Sequence, residues 1–252
     1  MLTEEKTAQM RLTDFKVLSF DCYGTLIDWE RGMGEALKPL LARTDRILTR
    51  DQALEAHARH EAALEAEMPG VRYADLLVLV HDRMAREWGV DPIPEESRAY
   101  GRSIKDWPAF VDSAAALQYL KKYYKLAILS NIDRESFKAS QSRLQAEWDY
   151  VFTAEDIGSY KPDPRNFEYM LRELAKDGIR KQDILHTAES LFHDLVPASR
   201  IGLASAWIHR RHGKEGTGAT FPPDHMPKYD FRFTSMGEMA KAHQEELKAS
   251  KA

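Results

Sequence analysis

KVLSFDCYGTL, residues 16–26, decides the fold. Val17, Leu18 and Phe20 read as a buried β-strand, and Asp21 puts a charge where that strand should leave the core. Gly24 then supplies a turn that a side chain would hinder. Working outward, short apolar runs of the same kind recur: KLAILS (125–130), YVFT (150–153), ILHTA (184–188), GLASAWI (202–208) and YDFRF (229–233). Between them, residues 133–148 and 163–178 carry apolar side chains at three- and four-residue spacing, so they read as helices, with Gly178 as a C-terminal cap. Strands alternating with helices predict an α/β fold with a parallel sheet covered on both faces.

Residues 29–106 break the alternation. RGMGEALKPLLART (31–44), RDQALEAHARHEAALEAEM (50–68) and RYADLLVLVHDRMAREWG (72–89) are consecutive helical segments, and a shorter one follows near 95–104. The sequence therefore predicts an all-helical cap at 29–106, inserted into a core made of 1–28 and 107–252. Trp107-Pro108 marks the return to the core, because a residue before proline disfavours helix. The Gly- and Pro-rich stretch 209–229 reads as an irregular loop, and residues 237–252 as a closing helix that frays.

Bulk properties narrow the function. The 252 residues hold 36 basic and 40 acidic side chains, a net charge of −4, so neither nucleic acid nor an anionic membrane is expected as a partner. Cys22 is the only cysteine, which excludes an internal disulfide and fits a reducing compartment. The charged N-terminus lacks the apolar centre of a secretory signal, and no apolar run approaches a membrane span. The expectation is a cytoplasmic protein that acts on a small molecule, with a homodimer left open through an apolar cap-helix face.

In open parallel sheets ligands bind beyond the carboxyl ends of the strands. The residues there are Asp21 after the first strand and Ser130 and Asn131 after the second. Lys161 lies in SYKPDP (159–164) after the third, and Glu189 and Asp194 in AESLFHD (188–194) after the fourth. Taken singly, each has a plain structural reading. An aspartate after a strand serves turns and caps, Ser130 and Asn131 suit a helix N-cap, and Lys161 suits a solvated loop. Glu189 and Asp194 suit the first turn of a helix. His57, His60 and His193 read as packed or solvated, and Cys22 as a packing residue without an evident base.

Their order changes the reading. DCYGTL, LSN, YKPDP and AESLFHD resemble, in sequence, the four motifs of the haloacid dehalogenase superfamily, and the helical insert resembles its cap. FDCYGTL, LAILSN and AWIHR most resemble the L-2-haloacid dehalogenase branch. The resemblance implies a Rossmann-like three-layer core and a hydrolase in which Asp21 forms a covalent ester. It further implies that Lys161 keeps Asp21 ionised and that Asp194 holds Lys161, positions water or binds a metal. Tyr23, Thr25, Ser130 and Asn131 would bind a small anionic substrate.

Dehalogenation is the first expectation, and it needs no cofactor. Phosphatases of the superfamily carry a proton-donating aspartate two positions after the nucleophile, where this chain has Tyr23; a halide leaves without a proton. Three departures point the other way. The cap arginine that receives a substrate carboxylate aligns with His57, leaving Arg59 as the nearest substitute. Phe167 replaces an aromatic hydroxyl, and Glu189 and Leu191 replace small polar residues. The extra acid keeps a Mg²⁺-dependent phosphatase or phosphonatase-like enzyme as the alternative, with Asp21, Tyr23, Glu189 and Asp194 as metal ligands. A non-catalytic small-anion binder on the same fold is the third reading.

Overall fold

A computed structural model describes residues 10–250; the charged residues 1–9 and residues 251–252, where the closing helix was expected to fray, lie outside it. Six strands, β1 (Val17–Phe20), β2 (Lys125–Ser130), β3 (Tyr150–Thr153), β4 (Ile184–Ala188), β5 (Ala204–Ile208) and β6 (Phe231–Phe233), form one sheet. Its order is β3-β2-β1-β4-β5-β6, and every pairing is parallel. Both faces are buried, so β2 is apolar at successive positions. Leu126 and Ile128 join one core cluster, while Ala127 and Leu129 join another with Phe167, Met170 and Leu174.

Eleven α-helices complete the described chain. The first five are α1 (Trp29–Ala36), α2 (Lys38–Leu41), α3 (Arg50–Glu67), α4 (Tyr73–Glu87) and α5 (Pro94–Arg102). They follow one another without a strand, as the sequence predicts for 29–106. α3 begins where a reciprocal cap dictates: Thr49 Oγ1 accepts from Gln52 N at 3.2 Å, and Gln52 Oε1 accepts from Thr49 N at 2.8 Å. Trp107 is extended before Pro108, whose carbonyl accepts from Asp28 N at 2.7 Å, so the chain leaves and rejoins the core at adjacent points.

Core helices α6 (Ser113–Leu120), α7 (Arg134–Leu144), α8 (Ala154–Ile157), α9 (Pro164–Lys176), α10 (Val196–Arg200) and α11 (Met236–Ala249) flank the sheet. Gly178 follows α9 with φ +74°, the cap conformation its position predicts. Residues 191–195 form a π-helical turn between β4 and α10, a tight segment that turns Asp194 inward. The helical block docks on the carboxyl edge of the sheet: Tyr160 donates to Val71 O at 2.5 Å, and Arg72 pairs with Asp133 at 3.8 Å. No described helix is long and apolar enough to cross a membrane.

Candidate active site

Asp21 follows β1 directly, and its N–H donates to Thr187 O of the neighbouring strand at 3.1 Å, which fixes where the carboxylate emerges. The turn after it depends on Gly24, at φ +89°, where a Cβ would stand 2.9 Å from Trp29 Nε1. That turn returns Thr25, whose hydroxyl donates to Asp21 Oδ2 at 2.7 Å and accepts from Glu189 N at 2.8 Å. Asp21 Oδ1 accepts from Lys161 Nζ at 3.0 Å. The same ammonium donates to Asp194 Oδ1 at 2.6 Å and to Leu129 O at 2.9 Å. Behind Asp194 stands His186, with Nε2 at 2.8 Å from Oδ1, and Ser19 holds its other nitrogen at 2.9 Å.

One buried ammonium thus serves two carboxylates. Burial works against the charge on Lys161, but Asp194 and Asp21 outweigh it and raise its pKa. Burial also opposes ionisation of Asp194, yet Lys161 and His186 hold its carboxyl below the usual range. Asp21 is the member pushed upward, by burial first and then by Asp194, against the pull of Lys161 and Thr25. Asp194 is the better stabilised of the two carboxylates, and Asp21 the less.

Asn131 carries the framework across to the helical block. Its Oδ1 accepts from Lys161 N at 2.6 Å, and its Nδ2 donates to Lys161 O at 2.9 Å and to Glu65 Oε1 at 3.0 Å. A cavity of about 30 Å³ lies against Asp21, lined also by Ser130, Asn131 and Lys161 from the sheet edge. Tyr23 lines it with its ring, while its hydroxyl is committed to Ser140 at 2.7 Å.

Two sequence-predicted residues, Arg59 and Glu189, do not line this cavity. Arg59 does not reach the cavity: it lies on the outer face of α3, half exposed, and pairs with Glu87 at 2.9 Å. The cause is helix phase, since His57, Glu61 and Glu65 define the buried face and a residue two positions from His57 points about 200° away. The Mg²⁺ set also fails to assemble. Glu189 turns its carboxylate to Thr220 Oγ1, 2.7 Å away, in a separate cavity behind Trp29. Burial there raises its pKa to about 8. Tyr23 is occupied by Ser140, and Asp21 and Asp194 already share the Lys161 ammonium. Among the described residues no three acidic, His or Cys side chains are grouped as metal ligands. The donor set does not fit a divalent ion.

The helical block supplies what the sequence reading passed over. Trp29, Glu61, Glu65 and Tyr73 line the cavity, joined by Ser190 and His193 from the fourth motif. Glu61 Oε1 is bonded by Tyr73 OH and faces His57 Nε2 at 3.4 Å. A signal was available: Glu61 and Glu65 sit in phase with Leu54 and Leu64 on α3, where a solvated acid has no place.

Comparison with known proteins agrees with this architecture. A family model described as haloacid dehalogenase-like hydrolase matches residues 15–187. The (S)-2-haloacid dehalogenase 4A of Burkholderia cepacia is 26% identical over 201 residues, covering 76% of this chain and 82% of that one. Among solved structures, a defluorinating L-2-haloacid dehalogenase superposes with a TM-score of 0.73 at 23% identity, over 94% of this chain and 99% of its own. The L-2-haloacid dehalogenase of Xanthobacter autotrophicus, solved with chloropropionic acid covalently bound, gives 0.74 at 16% identity, over 91% and 98%.

Proposed function

The chain belongs to the haloacid dehalogenase-like hydrolases, and from that premise we propose that it opens a carbon–halogen bond through an ester formed on Asp21. The observation that carries this reading is the Asp21–Lys161–Asp194 bridge, sealed from water beside a small cavity. Asp21 attacks the carbon and the halide departs with the bonding electron pair. Water then attacks the ester carbonyl, releasing an alcohol and restoring the carboxylate. Lys161 keeps Asp21 anionic, Thr25 orients its second oxygen, and Ser130 and Asn131 face the bound substrate. Asp194 fixes Lys161, and its Oδ2, buried without a hydrogen-bond partner, is our assigned acceptor for the hydrolytic water. Residues 29–106 act as the cap that excludes bulk solvent from this chemistry.

The relatives' names make small 2-halo acids the reference compounds, and we take a small molecule halogenated beside a carbonyl as the substrate here. Tyr23 supports the halide reading over phosphate-monoester hydrolysis, because a tyrosine held by Ser140 is no proton donor for an alkoxide.

The test pairs halide and phosphate release on one preparation. Asp21→Asn should lower halide release by roughly four orders of magnitude or more. Its thermal midpoint should hold or rise, since it removes a buried carboxylate whose ionisation is disfavoured. EDTA should leave the wild-type rate unchanged. Phosphate release that EDTA abolishes, with no halide produced, overturns the reading.

A further inference from the structure

The cavity beside Asp21 is acidic. Four acidic side chains, Asp21, Glu61, Glu65 and Asp194, line it with two basic ones, Lys161 and His193. No arginine lines it. Arg210 and Arg211 border the separate cavity behind Trp29 and are bound to Asp112 at 2.8 Å and Glu30 at 2.8 Å. An incoming carboxylate would meet like charges in a confined space, where desolvation makes the repulsion costly.

A second observation identifies what the site accepts instead. Glu65 Oε2 and His193 Nε2 are both buried and make no hydrogen bond. They face each other at 3.3 Å as a buried ion pair, so an acceptor and a donor stand side by side. Glu65 Oε1 is held by Asn131 at 3.0 Å and His193 Nδ1 by Ser190 at 3.2 Å, so neither side chain is free to turn away. One atom accepts and the other donates. A primary carboxamide presents the complementary pair, an N–H beside a carbonyl oxygen, on one planar group. A carboxylate presents two acceptors and sets one of them against Glu65.

We propose that the group beside the reacting carbon is a primary carboxamide, its N–H received by Glu65 Oε2 and its carbonyl oxygen by His193 Nε2. This rests on Asp21 as the nucleophile and names the substrate class as 2-halo amides. The step balances as before: Asp21 forms the C–O bond as halide leaves, and water hydrolyses the ester to a 2-hydroxy amide. Leaving a built hydrogen-bonding pair unmatched is a strong source of discrimination.

The experiment compares halide release from (S)-2-chloropropionamide and (S)-2-chloropropionate. Wild type should favour the amide in kcat/KM by roughly 100-fold or more. Glu65→Gln, close in shape, should shrink that preference by about tenfold or more, a change in ratio that a purely structural role does not produce. Equal or faster turnover of the acid overturns the amide assignment and leaves the dehalogenation reading standing. Halide from neither compound overturns that reading instead, and calorimetry on wild type then decides the recognition separately. Tighter binding of propionamide than of propionate supports the assignment; equal or tighter binding of propionate overturns it.

Discussion

Arg59 shows how far a single residue's role depends on where its side chain points. By alignment it was the nearest cation to the expected carboxylate-binding position, yet it ends on Glu87 at the surface. Arg59→Ala should therefore leave KM and kcat within about twofold and cost at most about 1 kcal/mol in urea denaturation, the range of an exposed pair. A KM raised more than about tenfold would return Arg59 to the site. Asp21, Lys161 and Asp194 were legible as a set because each stands at the carboxyl end of a strand, and the parallel sheet brings those ends together. The family resemblance implied that Lys161 would meet Asp21 and that Asp194 would hold Lys161; the distances follow from side-chain reach across the edge. Glu65 was hidden. Its relevance depends on the phase of α3 and on Asn131 meeting it from another part of the chain.

At the level of elements, the turn after β1 and the segment after β4 lean on each other through Thr25, which bonds both Asp21 and the Glu189 backbone. The Glu189 side chain is thereby carried behind Trp29 into its own enclosure. Its pKa moves from the ordinary 4.5 to about 8, because burial disfavours the charge. The sign follows from proton uptake: the native state keeps a proton that the unfolded chain loses above 4.5. This contribution is fully present below 4.5 and is lost as pH rises to about 8, at roughly 1.4 kcal/mol per pH unit. Glu189→Gln should flatten that part of the stability profile and make the variant relatively more stable than wild type at pH 8. Chemical denaturation at several pH values measures it, and an unchanged profile would refute the assignment. Helix positions were readable from spacing, as α3, α4 and α9 illustrate, but the inward face of α3 was only weakly marked, by the phase Glu61 and Glu65 share with Leu54 and Leu64. Its apolar stripe is interrupted by His57, Glu61 and Glu65, so hydrophobicity alone gives a weak direction.

Across the molecule, alternation of strand and helix was enough to predict a parallel sheet, because each β-run is too short and too apolar to stand alone. The order β3-β2-β1-β4-β5-β6 is not written in any one segment; it follows from right-handed crossovers that wind the chain outward from β1 in both directions. That winding puts β1 at the centre and brings Lys161, 140 positions further along, onto Asp21. The long helical insertion then lies over the same edge, since its two ends are joined by the Asp28–Pro108 contact. Sealing of the bridge also bears on how the protein meets reagents. Lys161 is 1% exposed, so acylating compounds that cap surface amines should label solvent-facing lysines such as Lys38, Lys176 and Lys241 and spare this one. Exhaustively acetylated enzyme should retain most of its turnover, with peptide mapping returning residue 161 unmodified.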